Sequence, residues 1–326
     1  MPRPIPVYFV LLAGSLILDW AGPAEAFRIA NQTLLVKGET AGFDLRFIGP
    51  DPQVSTSVWI SVCHVQPLPD TLPNPAWLVL VGMPGVSLDV TTEPARRTIS
   101  WLEVLQPGKS GLRLITICAG ALLAAHAGLL RGRRATTHHQ HLDELRRAAP
   151  DCDVVANRVF VMDGALASSA GITTGIDLAL QLIADECGPA VAAQVAQTMV
   201  VAVRRGPHDP ELSPFLAYRS HLHAALHRVQ DAVGLQPAAQ WTVPRMADIA
   251  HASPRHLTRL FLEHADIAPL QYLRSIRLAV AEQALQAGQN VTQAAQLAGF
   301  TSDTQLRRAW RHFGREGTPS VRQNHA

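Results

Sequence analysis

The stretch Leu114-Ile115-Thr116-Ile117-Cys118-Ala119-Gly120-Ala121 decides how the first part of the chain is read. It is a buried-strand run that passes through Cys118 directly into a helical pattern, which puts the cysteine on a sharp strand-to-helix turn. A thiol so placed meets a helix N-terminus, which lowers its pKa and offers backbone N–H groups to an anion. The plainer alternative is a buried, inert cysteine, the commoner state of an isolated one.

Outward from this point, short apolar runs alternate with helical stretches. Val7–Leu12, Ala76–Val81, Leu112–Ile117 and Val159–Met162 read as strands, and Ala121–Leu130 and Thr174–Ala184 as helices. That alternation predicts a parallel sheet covered by helices on both faces. A longer helical pattern, Ile176 to Val203, ends at Arg204-Arg205-Gly206-Pro207. The polar, proline-broken stretch His208-Asp209-Pro210-Glu211-Leu212-Ser213-Pro214 follows, and helical periodicity resumes near Ser220. The expected division is therefore a domain over 1–203, a linker over 204–218 and a second domain over 219–326.

Composition supports two globular domains. The 326 residues are 48% hydrophobic and 17% charged, which excludes a disordered chain. Cys63, Cys118, Cys152 and Cys187 form no C-x-x-C pair, so neither a disulfide framework nor a cysteine zinc site is expected. The longest apolar run, Val7 to Leu18, stops at Asp19, short of the ~18 residues that span a bilayer. Arg3, that run and Ala24-Glu25-Ala26 imitate a secretory signal, but Asp19 interrupts the apolar region and the prolines beside Arg3 make a poor basic start. A first strand, a Gly14-Ser15 turn and a helix around Pro23–Phe27 is the reading taken, in a cytoplasmic protein without a membrane partner.

Charge divides unevenly. Residues 219–326 carry 12 Arg against 7 Asp and Glu, a net +5, whereas residues 1–218 carry −3. A basic module on a mildly acidic body suits a polyanion partner, although many solvated surfaces reach such a value.

That basic module contains an internal repeat. One copy reads Ala247-x-x-Ala250-x-x-Ser253-Pro254-x-x-Leu257-x-x-x-Phe261, with Pro269 beyond; the other reads Ala295-x-x-x-Gly299-Phe300-x-Ser302-x-x-x-Leu306-x-x-x-Trp310, with Pro319 beyond. Each is a short helix, a tight turn and a second helix, with Ser253 and Ser302 as N-caps and Pro254 at a first helical position. Leu257 with Phe261, and Leu306 with Trp310, share a buried face. The opposite faces carry Arg255, His256 and Arg259 in one copy and Asp303, Gln305, Arg307 and Arg308 in the other. Gln271 to Leu285 reads as a long helix between the copies. Two helix-turn-helix units with basic exposed second helices suit the major groove of double-stranded DNA; an ordinary bundle with solvated arginines is the bland alternative.

Residues 219–326 resemble the AraC/XylS-type DNA-binding domain. Ser253 to Phe261 is similar to that family's first recognition helix, Arg277-Leu278-x-x-Ala281-x-x-x-Leu285 to its connecting helix, and Ala298-Gly299-Phe300-Thr301-Ser302 to its second turn. Asp266 stands where the family usually has Gly, the Trp310-to-Pro319 gap is one residue longer than its counterpart, and the tail after Pro319 lacks the usual aromatic-and-Arg ending.

The first domain resembles the ThiJ/PfpI superfamily, the class I glutamine amidotransferase-like fold, on Leu18-Asp19-x-x-Gly22-Pro23, Cys118-Ala119-Gly120, Gly132 to His138 and Ser169-Ala170-Gly171-Ile172-x-x-Gly175-Ile176-Asp177. The two domains together resemble the GlxA-type transcriptional regulators. The resemblance implies an α/β flavodoxin-like sheet domain that binds a small-molecule effector, followed by an all-α domain that binds promoter DNA. It also implies a homodimer and leaves RNA polymerase as a further partner.

Ala119 replaces the His or Thr that follows the nucleophile in enzymatic relatives, and Val81-Gly82-Met83-Pro84-Gly85 departs from the usual Gly-Gly of an oxyanion loop. The expected role of Asp19, Gly82, Cys118, Ala119 and His138 is therefore ligand binding, with no catalytic residue and no cofactor. His126, His139 and His141 lack a ligand spacing and are read as surface or packing residues rather than a metal site. The rival class is a cysteine-dependent enzyme of the isonitrile hydratase or amidotransferase type with an appended DNA module, in which His138 serves Cys118 as base; a thiol-based redox sensor is a third.

Overall fold

The computed structural model describes residues 4–85, 87–109, 111–201, 205–207, 211, 213–219, 221–286, 288–313 and 319. Arg204, residues 208–210 and 212 of the expected linker, Ser220, and the tail after Pro319 lie outside the described residues. The chain divides into two compact units, Met1–Glu211 and Leu212–Ala326.

The first unit is built on a seven-stranded sheet. Its spatial order is Phe160–Asp163, Leu166–Ser169, Leu112–Ile117, Ala76–Leu80, Ile5–Val10, Phe43–Gly49 and Gln66–Pro67. Every neighbouring pair is parallel except the hairpin Phe160–Asp163 with Leu166–Ser169. The sheet is thus parallel-dominated and mixed, a modification of the all-parallel expectation; a tight Gly164 turn with φ 61° permits the edge hairpin. The central strands are apolar on both faces because helices cover both: all five residues of Ala76–Leu80 are buried.

The helical stretch expected to run from Ile176 to Val203 is two helices, Thr174–Cys187 and Pro189–Thr198. Gly188, at φ 89°, ends the first, and Pro189 starts the second at a position where its missing N–H costs no bond. The helix after Cys118 spans only Gly120–His126, shorter than the expected Ala121–Leu130.

Among the described residues, the strand order reverses between Ile5–Val10 and Ala76–Leu80: the chain first builds outward to Gln66–Pro67 and then returns to the other side of the first strand. The crevice at such a switch point, past the C-terminal strand ends, is where open α/β sheets bind ligands. Asp19, Gly82 and Cys118 follow the strands Ile5–Val10, Ala76–Leu80 and Leu112–Ile117, three adjacent strands at that crevice.

The second unit is helical: Pro214–Ala217, Ala224–Leu235, Val243–Ala250, Pro254–Ala265, Pro269–Gln286, Val291–Leu297 and Asp303–His312. The helix Pro214–Ala217 forms within the expected linker, and Phe215 packs against this unit's first core. That core gathers Leu226, Val229, Met246, Leu257, Phe261, Tyr272 and Ile276; a second gathers Leu278, Leu285, Phe300, Leu306 and Trp310. The long helix Pro269–Gln286 contributes to both cores and so sets the spacing of the two helix-turn-helix units. Arg277, half-buried on it, donates to the carbonyls of Pro237 at 2.9 Å and Ala239 at 2.8 Å.

Candidate functional site

Cys118 takes φ 55°, a left-handed conformation that a residue with a Cβ adopts only when its surroundings enforce it. Its N–H donates to Ser169 O at 3.1 Å, and its carbonyl accepts from Thr137 Oγ1 at 2.8 Å. Gly171 packs so closely that a Cβ there would lie 2.7 Å from Cys118 Sγ. Cys118 is 4% exposed.

The expected lowering of the thiol pKa does not occur. Burial first, and then the charge of Asp19, push Cys118 up to about 12; the Ala119 N–H opposes this, and Glu211 adds to it. A seven-residue helix whose first position carries no side-chain cap offers too little field to offset desolvation. Cys118 is therefore a neutral thiol near pH 7.

Asp19, in the first turn of the helix Ile17–Val36, is fully buried. Its Oδ2 accepts from the Gly82 N–H at 3.0 Å and its Oδ1 from the Ile172 N–H at 2.9 Å. One carboxylate thus ties two loops that are remote in sequence to the start of its own helix. Burial raises its pKa from 3.8 to about 6, and the two N–H donors hold it from rising further. A Cβ on Gly82 would lie 2.7 Å from Asp19 Oδ2 and 2.8 Å from Cys118 Cβ, so this loop approaches only as glycine. Asp19, Gly82, Cys118 and Ala119 are brought together as a closed, hydrogen-bonded cluster.

His138 packs among other imidazoles. Its ring centroid lies 4.2 Å from that of His139 and 6.2 Å from that of His141, and burial, with those two rings, pushes its pKa down to about 4. His141 is buried against Glu144 at 3.0 Å, the packing role expected for it, and His126 is exposed. His139 is more than a surface residue. Its N–H donates to Glu211 Oε1 at 3.0 Å, and its Nδ1 lies 2.8 Å from the same oxygen.

Glu211 and Arg205 are the residues that the sequence reading missed, because both lie in the stretch that looked like a free linker. Arg205 caps Asp177 through its backbone N–H at 3.0 Å and its guanidinium at 2.7 and 2.9 Å, and it reaches Thr173 at 3.0 Å. Polar residues between prolines are the ordinary mark of a solvated connector, so local pattern carried no signal for these contacts.

In the second unit the Ser253 hydroxyl accepts from His256 N–H at 3.2 Å, and Ser302 from Gln305 N–H at 3.2 Å, the expected N-caps of both second helices. Leu257, Phe261, Leu306 and Trp310 are buried, while Arg255, His256, Arg259, Gln305, Arg307 and Arg308 are exposed. Arg259 lies 3.1 Å from His256 Nδ1. Gln305 also serves its own turn, its Oε1 accepting from the Thr301 N–H at 2.8 Å, which leaves its amide NH₂ for an outside partner. Asp266 takes φ 51°, a left-handed conformation that short polar side chains tolerate.

These two constellations, a nucleophile-elbow cluster at a switch point and paired helix-turn-helix units, define a sensor-like α/β domain joined to a DNA-binding domain. A DJ-1/PfpI family model matches residues 8–185, and a helix-turn-helix domain model matches residues 246–320. The chain belongs to the DJ-1/PfpI family, among the members that carry a helix-turn-helix domain. It is similar to the HTH-type transcriptional regulator CdhR of Pseudomonas aeruginosa, 32% identical over 311 residues that cover 93% of this chain and 87% of that one. The HTH-type transcriptional regulator GlxA of Rhizobium meliloti is 30% identical over 235 residues, 71% of this chain and 72% of that one. Isonitrile hydratase of Pseudomonas putida is 38% identical over 119 residues, which cover 35% of this chain and 50% of the enzyme. Among the described residues, no helix is long and apolar enough to cross a membrane.

Proposed function

We propose that this protein is a cytoplasmic transcriptional regulator that binds promoter DNA through its second unit and senses a small metabolite through its first. The observation that carries the reading is the pair of Ser-capped second helices, each with an apolar stripe buried and its polar face exposed. Arg255, His256 and Arg259 would face base edges or phosphates in one major groove, and Gln305, Arg307 and Arg308 those of a second. Asp19, Gly82, Cys118, Ala119 and His138 mark the effector region. A homodimer is the expected assembly, and RNA polymerase a further partner. The regulators CdhR and GlxA, matched over most of the chain, support this assignment.

The test is binding of the purified protein to its own upstream DNA at two salt concentrations against scrambled competitor. Competitor-resistant binding supports the reading; binding that competitor abolishes at both salts is non-specific electrostatics and rejects it.

The partial similarity to isonitrile hydratase favours a second reading, a cysteine-dependent enzyme. The neutral, enclosed Cys118 thiol argues against it, since the thiolate is the nucleophile. A Cys118→Ser protein separates the two: a regulator keeps its effector response, whereas an enzyme loses turnover.

A further inference from the structure

Glu211 carries an anomaly. Its side chain is 6% exposed, its Oε1 is engaged by His139, and its Oε2 is buried with no hydrogen-bond partner among the described residues. A buried carboxylate oxygen left unpaired is costly, so native structures supply a partner. Two imidazoles lie close to this carboxylate. One ligand atom each of His138, His139 and Glu211 lies within 4.8 Å of the others, although Glu211 is 72 residues away along the chain.

We propose that His138, His139 and Glu211 form a binding site for a divalent transition-metal ion of the zinc class. Two imidazole nitrogens and one carboxylate are the donor set such ions take, whereas magnesium and calcium prefer all-oxygen shells. Three protein ligands leave a fourth tetrahedral position open, for water or for an anionic ligand atom. The 2.8 Å between His139 Nδ1 and Glu211 Oε1 is a hydrogen-bond separation. The hydrogen bonds to His139 hold the carboxylate in place without the ion, and the ion then takes up the unpaired Oε2.

The consequence concerns the chain leading to the DNA-binding unit. Glu211 is the last residue of the first unit, and Arg205, six positions earlier, is already fixed to Asp177. An ion on Glu211 adds a second anchor, beyond Arg205, that ties residue 211 to His138 and His139.

The second unit holds the strongest competing cluster. The rings of His223 and His264 lie 5.0 Å apart, those of His221 and His227 4.5 Å, and His221 Nε2 and His223 Nδ1 are buried without partners among the described residues. The experiment must therefore tell the two apart. The full-length protein, stripped with chelator and desalted, is titrated with Zn²⁺ in competition with a chromophoric chelator. Wild type and His264→Ala should bind one equivalent at submicromolar Kd. Glu211→Gln, which keeps shape and the acceptor toward His139, and His139→Ala should each weaken that equivalent at least tenfold. A thermal melt of each variant without zinc checks its fold, and the zinc-induced rise in Tm should be present in wild type and His264→Ala alone. No competing binding by wild type, full binding by folded Glu211→Gln, or loss confined to His264→Ala overturns the proposal.

Discussion

The elbow around Cys118 and the helix that begins at Ser253 both present polar residues at a strand-to-helix or turn-to-helix junction, yet they treat them in opposite ways. At the elbow, Asp19 is fully buried and its two oxygens are spent on N–H groups of loops from other parts of the fold. At Pro254–Ala265 the cap is local, Ser253 to His256, and Arg255, His256 and Arg259 stay in solvent. Long-range satisfaction produces a desolvated cluster in which both groups ionise later than usual: the thiol is pushed up to about 12 and the carboxyl up to about 6. Local satisfaction leaves the opposite helix face free and charged, as contact with a polyanion requires. The same contrast separates a region built for shape from one built for electrostatics.

The sharpest way to break this comparison is Gly171→Ala. Gly171 sits at φ 108° with Cys118 Cα 2.9 Å from any added Cβ, so the variant should lose about 3 kcal/mol or more from the first unit. Calorimetry should show a lowered unfolding transition for that unit with promoter affinity nearly unchanged; an unmoved transition would mean the elbow is loosely packed.

Asp19→Asn comes next and reads the buried charge. A carboxyl raised from 3.8 to about 6 stabilises the fold fully below pH 3.8 and loses that contribution as pH rises through about 6. Wild type should therefore fall relative to Asp19→Asn by about 2 kcal/mol between pH 4 and pH 7, measured by urea unfolding. A pH-independent difference would show that Asp19 ionises as freely as in water.

Arg259→Ala tests the exposed face. Loss of a bidentate guanine contact weakens promoter binding by about 1–3 kcal/mol while sparing random DNA. Equal losses on both, seen by fluorescence anisotropy, would make Arg259 a phosphate contact.

The smallest expected effect is Ser253→Ala, which removes a local cap worth about 1 kcal/mol. Its effect should appear as a lowered melting temperature of the second unit, and a silent variant would show that Pro254 and the core of Leu257 and Phe261 hold that turn unaided.

Much of this was legible in residue order, because the deciding forces act over a few residues. The Ser253 and Ser302 caps, the Leu257/Phe261 and Leu306/Trp310 stripes and the strand leading into Cys118 follow from spacing, capping and periodicity. The same local logic failed where it met a competing term. A helix N-terminus beside Cys118 suggested a low pKa, but burial first, and then the charge of Asp19, reversed the sign. Gly188-Pro189 was readable as a break, yet the apolar periodicity on both sides hid it within one long pattern.

The amino-acid sequence by itself thus determined the two domain types, the repeat and the exposed basic faces, since periodicity and capping are properties of neighbours along the chain. Only the tertiary structure decided that Asp19 fastens two distant loops, that Cys118 stays neutral, and that Glu211 meets His139. Those outcomes depend on which distant groups share a low-dielectric space, and no local pattern records that.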